Sequence, residues 1–127
     1  MLKTYLAVMF GGAVGTGARF ALSGWLAAKY GETFPVGTLV VNVSGCFVIG
    51  LFAALTGPDG LFFTSPLIRQ VVMLGVLGGY TTFSALEWET LALVENGGRG
   101  LALLNLFGSV VLGYIAVWLG AAVAGKR

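Results

Sequence analysis

Four long apolar runs, separated by short polar links, divide the chain. They cover residues 2–28, 34–55, 66–95 and 101–124. Each is about 20 residues or longer, which is the length that an α-helix needs to cross the hydrocarbon core of a bilayer. The links carry glycine, proline, asparagine and aspartate, which are typical of turns. The pattern predicts an all-α membrane protein whose 127 residues form a single domain of four transmembrane helices.

Composition supports a membrane setting and excludes several functions. Hydrophobic residues make up 57% of the chain and charged residues 9%, against roughly 25% charged residues in soluble domains. With no histidine and a single cysteine, the chain lacks the residues that form an acyl-transfer, zinc or redox site. A net charge of +2 with few basic residues does not provide the basic surface that nucleic-acid binding requires. We therefore predict a membrane protein that is not an enzyme and binds no nucleic acid.

The basic residues hardly distinguish the two sides of the membrane. After an even number of crossings, one side carries Lys3, Arg69, Lys126 and Arg127, and the other carries Lys29 and Arg99. Because the positive charge of short loops normally fixes orientation, so small a difference is what a chain inserted in both orientations shows. A protein of one orientation with few loop charges has the same pattern, so both interpretations stay open.

The third run contains a stretch that disfavours a continuous helix. Residues 75–84 read GVLGGYTTFS, with three glycines and two adjacent threonines. Irregular backbone at membrane depth persists only where protein, an ion or water satisfies its polar groups, and transporters place ion sites at such broken helices. We predict that the third helix is broken in the middle of the membrane and that the break marks the functional site. A packing kink without an ion is the alternative.

Polar side chains inside the spans are further candidates, because such groups are costly in lipid unless they are paired or functional. Thr38 and Asn42 share one face of the second span, and Asn105 and Ser109 share one face of the fourth. Each stripe fits either a polar track or hydrogen bonds that hold the helices together. Arg19, within the first span, is either a snorkelling side chain or a cation that attracts anions at a vestibule.

Three sequence blocks together resemble the CrcB/Fluc family of fluoride channels. They are GGAVG at residues 11–15 followed by Arg19, GTLVVN at residues 37–42 followed by Gly45, and GGYTTFS at residues 78–84. The blocks fall in order on the first three spans, and the fourth span matches in length and polar stripe. The resemblance implies an antiparallel, dual-topology homodimer in the lipid bilayer of the cell membrane that exports fluoride passively through two pores. It also implies one structural sodium ion at the subunit interface.

The resemblance assigns roles to individual positions. The sodium ion is expected on the backbone carbonyls of Gly78 and Thr81, in keeping with the preference of hard cations for oxygen ligands. Phe83 is expected to line the fluoride pore, because the edge of an aromatic ring is electropositive. The expected fluoride donors are Thr38, Asn42, Thr82, Ser84, Asn105 and Ser109. Arg19 is expected at the vestibule.

Two positions depart from the pattern of the family, and a third stays open. Leu86 occupies a position at which many members have a second phenylalanine. Asn105 occupies a position at which members have a tyrosine, one turn before the serine of the polar stripe, which is Ser109 here. Since leucine has no electropositive edge, we expect slower conduction or altered selectivity. Glu89 falls where the family has an acidic residue. It either pairs with Arg19 or Lys29 at the pore mouth or lies at the membrane interface.

Two other functions are open to a small four-helix membrane protein. A multidrug or cation exporter needs an embedded carboxylate that exchanges protons for substrate, and the first two spans have none. A helical assembly subunit accounts for the glycines but leaves residues 78–84 and the donor stripes unexplained. Fluoride flux and its dependence on sodium separate the three functions.

Overall fold

The computed structural model describes residues 1–125, which form helices and connecting turns without any strand. Its elements are α1 (Leu2–Tyr30), α2 (Val36–Leu55), α3 (Pro66–Gln70), a π-helical segment (Val71–Leu77), α4 (Gly78–Tyr80), α5 (Phe83–Glu95) and α6 (Arg99–Val123). The prediction of an all-α fold is confirmed. Lys126 and Arg127, which enter the prediction on orientation, lie outside the described residues.

Three helices are long and apolar enough to cross a membrane. They are α1, α2 and α6, with 29, 20 and 25 residues and mean hydropathies of 1.3, 2.1 and 2.0 in their most apolar windows. The predicted third span is divided among α3, the π-helical segment, α4 and α5, each of which is shorter. Large apolar side chains such as Phe20, Phe107 and Trp118 are exposed. A surface that faces lipid explains so much exposed apolar area.

The first helix packs closely against the first half of the third span. A Cβ atom on Gly15 would collide with the backbone of Val76, and one on Gly79 would collide with the backbone of Gly12. Small residues at these positions allow the two backbones to touch, as in many helix pairs of membrane proteins. This contact places the end of α4 beside the middle of α1.

The second and sixth helices form the other close pair. A Cβ atom added to Gly50 would collide with the backbone of Val117, and one added to Gly120 would collide with the backbone of Phe47. Val41, on the same helix as Gly50, is fully buried. Because α2 and α6 pack so closely, the polar residues Thr38 on α2 and Asn105 and Ser109 on α6 are buried inside the bundle.

The backbone is extended at two residues between α4 and α5. Thr81 has φ -83° and ψ 155°, and Thr82 has φ -149° and ψ 120°. The hydroxyl of Thr82 accepts a hydrogen bond of 3.2 Å from the amide of Ala85, which makes Thr82 the N-cap of α5. The preceding π-helical segment is itself a rare conformation that concentrates at functional sites. We call Thr81 and Thr82 the interruption.

Candidate ion site at the interruption

The side chain of Asn42 holds the interruption from α2 with two hydrogen bonds. The Thr82 amide donates to Asn42 Oδ1 at 2.7 Å, and Asn42 Nδ2 donates to the Thr82 carbonyl at 2.9 Å. A carboxamide therefore replaces two of the partners that a continuous helix would give to this residue. One hydrogen of Nδ2 remains for another acceptor.

The carbonyls at the end of α4 lose their usual helical donors. In a continuous α-helix, the carbonyl of residue i accepts from the amide of residue i+4. The Thr82 amide, which would serve Gly78, donates to Asn42 instead. The Ala85 amide, which would serve Thr81, donates to the Thr82 hydroxyl. Gly78 and Thr81 thus present carbonyl oxygens that no longer have these amides as partners.

The Gly79 carbonyl, which lies between them, has acquired partners from α1. Arg19 Nε donates to it at 3.2 Å, and the Thr16 hydroxyl donates at 3.4 Å. A cation near the carbonyl end of a helix is favourable, since partial negative charge accumulates there. This contact ties Arg19 to the residue that closes α4, and the other guanidinium nitrogens make no hydrogen bond within residues 1–125. The role of Thr16 was missed in the sequence, although its spacing of three from Arg19 places both on one face of α1.

A cavity of about 430 Å³ lies on the side of the interruption where Arg19 is found. Thr38, Thr82 and Glu89 also line this cavity. Because its lining mixes a guanidinium with hydroxyl and carboxylate groups, the cavity is suited to water and ions. We call it the polar cavity.

Within the polar cavity, Glu89 bonds to a hydroxyl rather than to a base. Its Oε1 accepts from the Thr38 hydroxyl at 2.6 Å, while its buried Oε2 has no partner among the described residues. Among residues 1–125 the carboxylate pairs with neither Arg19 nor Lys29, the two partners considered from the sequence. Thr38 thus contributes its single hydrogen to Glu89 in this arrangement.

A second cavity, of about 520 Å³, lies on the other side of the interruption. Asn42, Thr82, Phe83, Leu86 and Ser109 are among the residues that line it. The Phe83 ring is 71% exposed, whereas Leu86 is 4% exposed. Phe83 and these donors therefore line one chamber, which we call the aromatic cavity. Thr82 lines both cavities.

The polar stripe of α6 has two different environments. Asn105 is fully buried, and its Nδ2 donates to the Thr90 hydroxyl of α5 at 3.0 Å. The Asn105 carbonyl oxygen and the Ser109 hydroxyl are buried without partners among the described residues. Asn105 accordingly makes a bond between helices, which was one of the two alternatives, while Ser109 faces the aromatic cavity.

Two further polar contacts surround the interruption. The Ser84 hydroxyl lies 3.4 Å from the Thr82 hydroxyl on the exposed side. The Tyr80 hydroxyl lies 2.9 Å from that of Ser44 on α2. The structure thus brings Asn42, Thr82, Phe83 and Ser109 together, with Ser84 beside them. Thr38 and Arg19 line the polar cavity instead.

Comparison with known proteins gives a family that agrees with the sequence blocks. The family model described as "CrcB-like protein, Camphor Resistance (CrcB)" matches residues 6–121. A protein of Opitutus terrae named "Fluoride-specific ion channel FluC" is 54% identical over 94% of this chain and 90% of its own length. Proteins with the same name from Solibacter usitatus and Rhodospirillum rubrum are 49% and 52% identical. The match to the Solibacter usitatus protein covers 94% of this chain and 97% of the relative. The match to the Rhodospirillum rubrum protein covers 92% of this chain and 91% of the relative.

The comparisons also bear on the broader predictions. The relatives carry the name of an ion channel, which is a class of protein without enzymatic activity. Three apolar helices in a chain with such relatives make this a multi-pass membrane protein. The match of the family model to most of the chain confirms the resemblance inferred from the sequence blocks: the chain belongs to the CrcB family.

Proposed function

We propose that this chain is the subunit of a fluoride-selective channel that exports fluoride passively across the cell membrane. The observation that carries the proposal is the position of Thr82, which borders the polar cavity with its guanidinium and the aromatic cavity with its exposed ring. Relatives named as fluoride-specific ion channels support the identity of the ion. In this proposal, α3, the π-helical segment, α4 and α5 together make the third of four crossings, and the interruption lies within the membrane.

The anion path has to replace the hydration shell of the ion. Moving a small ion from water into a medium of low dielectric constant costs on the order of 20 kcal/mol before compensation. Hydrogen bonds to a charged group contribute roughly 1.5 to 3 kcal/mol each, so several donors must act in succession. The free hydrogen of Asn42 Nδ2, the Ser109 hydroxyl and the edge of Phe83 meet this need in the aromatic cavity. The Thr82 and Ser84 hydroxyls lie beside these donors and extend the path. Of the other donors expected from the sequence, Thr38 gives its only hydrogen to Glu89, and Asn105 bonds to Thr90.

Arg19 serves as the cationic side chain of the vestibule. Its Nε is held by the Gly79 carbonyl, so the guanidinium is fixed at the wall of the polar cavity. There it attracts an anion toward Thr82 without standing in the narrow part of the path. Neutral donors then take over, because a fixed cation would bind the ion too tightly for exit.

A structural sodium ion fits the carbonyls at the interruption. Hard cations prefer oxygen ligands, and the Gly78 and Thr81 carbonyls have lost the amides that would pair with them in a helix. When bound, the ion neutralises the partial negative charge of these carbonyls. Two carbonyls are few for such a cation, whereas two copies of the chain would supply twice as many. The ion would then lie at the interface between them.

An antiparallel dimer also accounts for the exposure of the site. Phe83 is 71% exposed, so one subunit alone leaves part of the aromatic cavity without a wall. The weak difference in loop charge between the two sides is compatible with insertion of the chain in both orientations. Two oppositely inserted copies would close two equivalent pores, one along each subunit.

Fluoride efflux from liposomes that contain the purified protein tests the proposal. We expect fluoride to leave down its gradient, without any proton gradient, and chloride to be retained. The alternative of a multidrug or cation exporter predicts proton-coupled movement of an organic cation and no fluoride current. A lack of fluoride efflux, or equal rates for chloride, would contradict the channel function.

A further inference from the structure

We propose that Asn42 is a positioning residue that keeps the Gly78 carbonyl available to a cation by taking the amide hydrogen of Thr82. The proposal rests on the sodium site of the proposed function. It gives Asn42 a second role, distinct from donating a hydrogen bond to the anion.

The geometry fixes the orientation of the Asn42 carboxamide. Its oxygen accepts from the Thr82 amide at 2.7 Å, and its nitrogen donates to the Thr82 carbonyl at 2.9 Å. A flip of the carboxamide would set donor against donor and acceptor against acceptor, so only this orientation satisfies both groups. The Thr81 methyl group packs on Gly45 in the next turn of α2, where an added Cβ atom would collide with it.

Asn42 and the Gly78 carbonyl compete for one hydrogen. In a continuous α-helix the Thr82 amide would donate to Gly78, and Gly78 itself has helical torsions, with φ -65° and ψ -35°. The backbone before the interruption is thus ready to accept that bond. By holding the Thr82 amide from another helix, Asn42 prevents α4 from extending and leaves the Gly78 oxygen exposed to a ligand.

The two roles of Asn42 can be separated by substitution. Leucine has a similar size but neither accepts nor donates a hydrogen bond, so Asn42→Leu releases the Thr82 amide. Aspartate keeps an oxygen for the Thr82 amide but loses the amide hydrogens that would face the anion. Asn42→Asp therefore keeps the acceptor for the Thr82 amide and removes the donor role, while its second oxygen replaces the nitrogen that donates to the Thr82 carbonyl.

Thermal unfolding of the purified protein in sodium and in N-methylglucamine measures the cation site without relying on conduction. We expect sodium to raise the Tm of the wild-type protein and of Asn42→Asp. For Asn42→Leu we expect the apparent sodium affinity to fall by roughly 10-fold or more, as for other residues that orient metal ligands. Fluoride efflux should fall sharply in both variants. Ser44→Ala is the control, because Ser44 contacts Tyr80 from the same helix without touching the Thr82 amide; it should keep the sodium shift.

The outcomes separate this inference from the function on which it rests. A sodium shift of wild-type size in Asn42→Leu overturns the positioning role and leaves the sodium site in place. No sodium shift in the wild-type protein overturns the sodium site and the positioning role together. If Asn42→Leu does not fold, Asn42→Ala takes its place, because alanine also leaves the Thr82 amide without its side-chain acceptor. A weakened sodium shift in Asn42→Ala supports the positioning role, and a shift of wild-type size overturns it.

Discussion

At the scale of single residues, the buried polar atoms fall into two groups. The Thr38 hydroxyl, the Asn42 carboxamide and the Asn105 amide nitrogen have partners within the chain. Ser109 Oγ, Asn105 Oδ1 and Glu89 Oε2 are buried without partners among the described residues. A buried polar group without a partner costs about 1–3 kcal/mol. Of these atoms only the Ser109 hydroxyl carries a hydrogen that it could donate to an anion, and we therefore propose it as an ion contact.

Ser109→Ala tests this interpretation. Because the hydroxyl is buried and makes no hydrogen bond within residues 1–125, its removal should leave the free energy of unfolding unchanged or raise it by up to about 1–3 kcal/mol. Fluoride efflux should fall by roughly 10-fold, since one charge-assisted hydrogen bond is lost from the path. Thr90→Val is the comparison: it removes the partner of Asn105 and should lower stability more than Ser109→Ala does. Undiminished efflux in Ser109→Ala would place the hydroxyl outside the pore.

Leu86→Phe tests the missing ring. Leu86 lines the aromatic cavity with Phe83, so a second ring there would add an electropositive edge to the path. We expect efflux to rise by about 2- to 10-fold, corresponding to the roughly 0.5 to 1.5 kcal/mol of an aromatic edge contact. Because Leu86 is buried, the larger side chain should also destabilise the fold by about 1–3 kcal/mol. Leu86→Met changes the side chain without adding a ring and should leave efflux unchanged; an unaltered rate in Leu86→Phe argues against a role for this position.

At the scale of helices and their interruption, α1, α2 and α6 begin and end within a few residues of three apolar runs of the sequence. The glycines drew attention to residues 75–84, but the extended residues are the two threonines. The reason is not local: the Thr82 amide is held by a side chain 40 positions earlier in the chain. Likewise, spacing placed Thr38 and Glu89 on helix faces but could not reveal that they bond to each other.

Gly15→Ala tests the contact between α1 and the third span. The added methyl group would collide with the backbone of Val76, so the helices must separate. We expect a loss of about 1–3 kcal/mol in the free energy of unfolding, measured by denaturation in detergent, together with weaker sodium stabilisation. Gly17→Ala is the matched control two residues later, where an added methyl group meets nothing within 4 Å. It should stabilise the protein by about 0.5–1 kcal/mol, and equal effects at both positions would contradict the packing argument.

At the scale of the whole molecule, the family assignment and the multi-pass membrane fold are established, whereas the antiparallel dimer, its two pores and the sodium ion stay predictions. Two features of the single chain make the dimer a prediction rather than an observation. Its aromatic cavity is open where Phe83 is exposed, and its carbonyls suit a cation that needs more ligands than one copy offers. In the proposed dimer a second copy would complete these features, and no sequence pattern within one copy specifies how that copy is oriented.

Cysteine labelling in intact cells tests the orientation. In a Cys46→Ser background, Glu32→Cys and Asp59→Cys place single thiols in links on opposite sides of the bundle. If the chain inserts both ways, a reagent that cannot cross the membrane should label about half of each variant. Lysed cells, in which both links are accessible, provide the reference for full labelling. Complete labelling of one variant and none of the other would show a single orientation.

The two cavities that meet at Thr82 differ in what lines them. The polar cavity carries a guanidinium and a carboxylate, whereas apolar side chains dominate the wall of the aromatic cavity. In the proposed channel, an ion would therefore keep much of its water as far as Thr82 and would exchange it beyond that residue for Asn42, Ser109 and Phe83. Thr82 would then mark the boundary between a hydrated and a dehydrated half of the route.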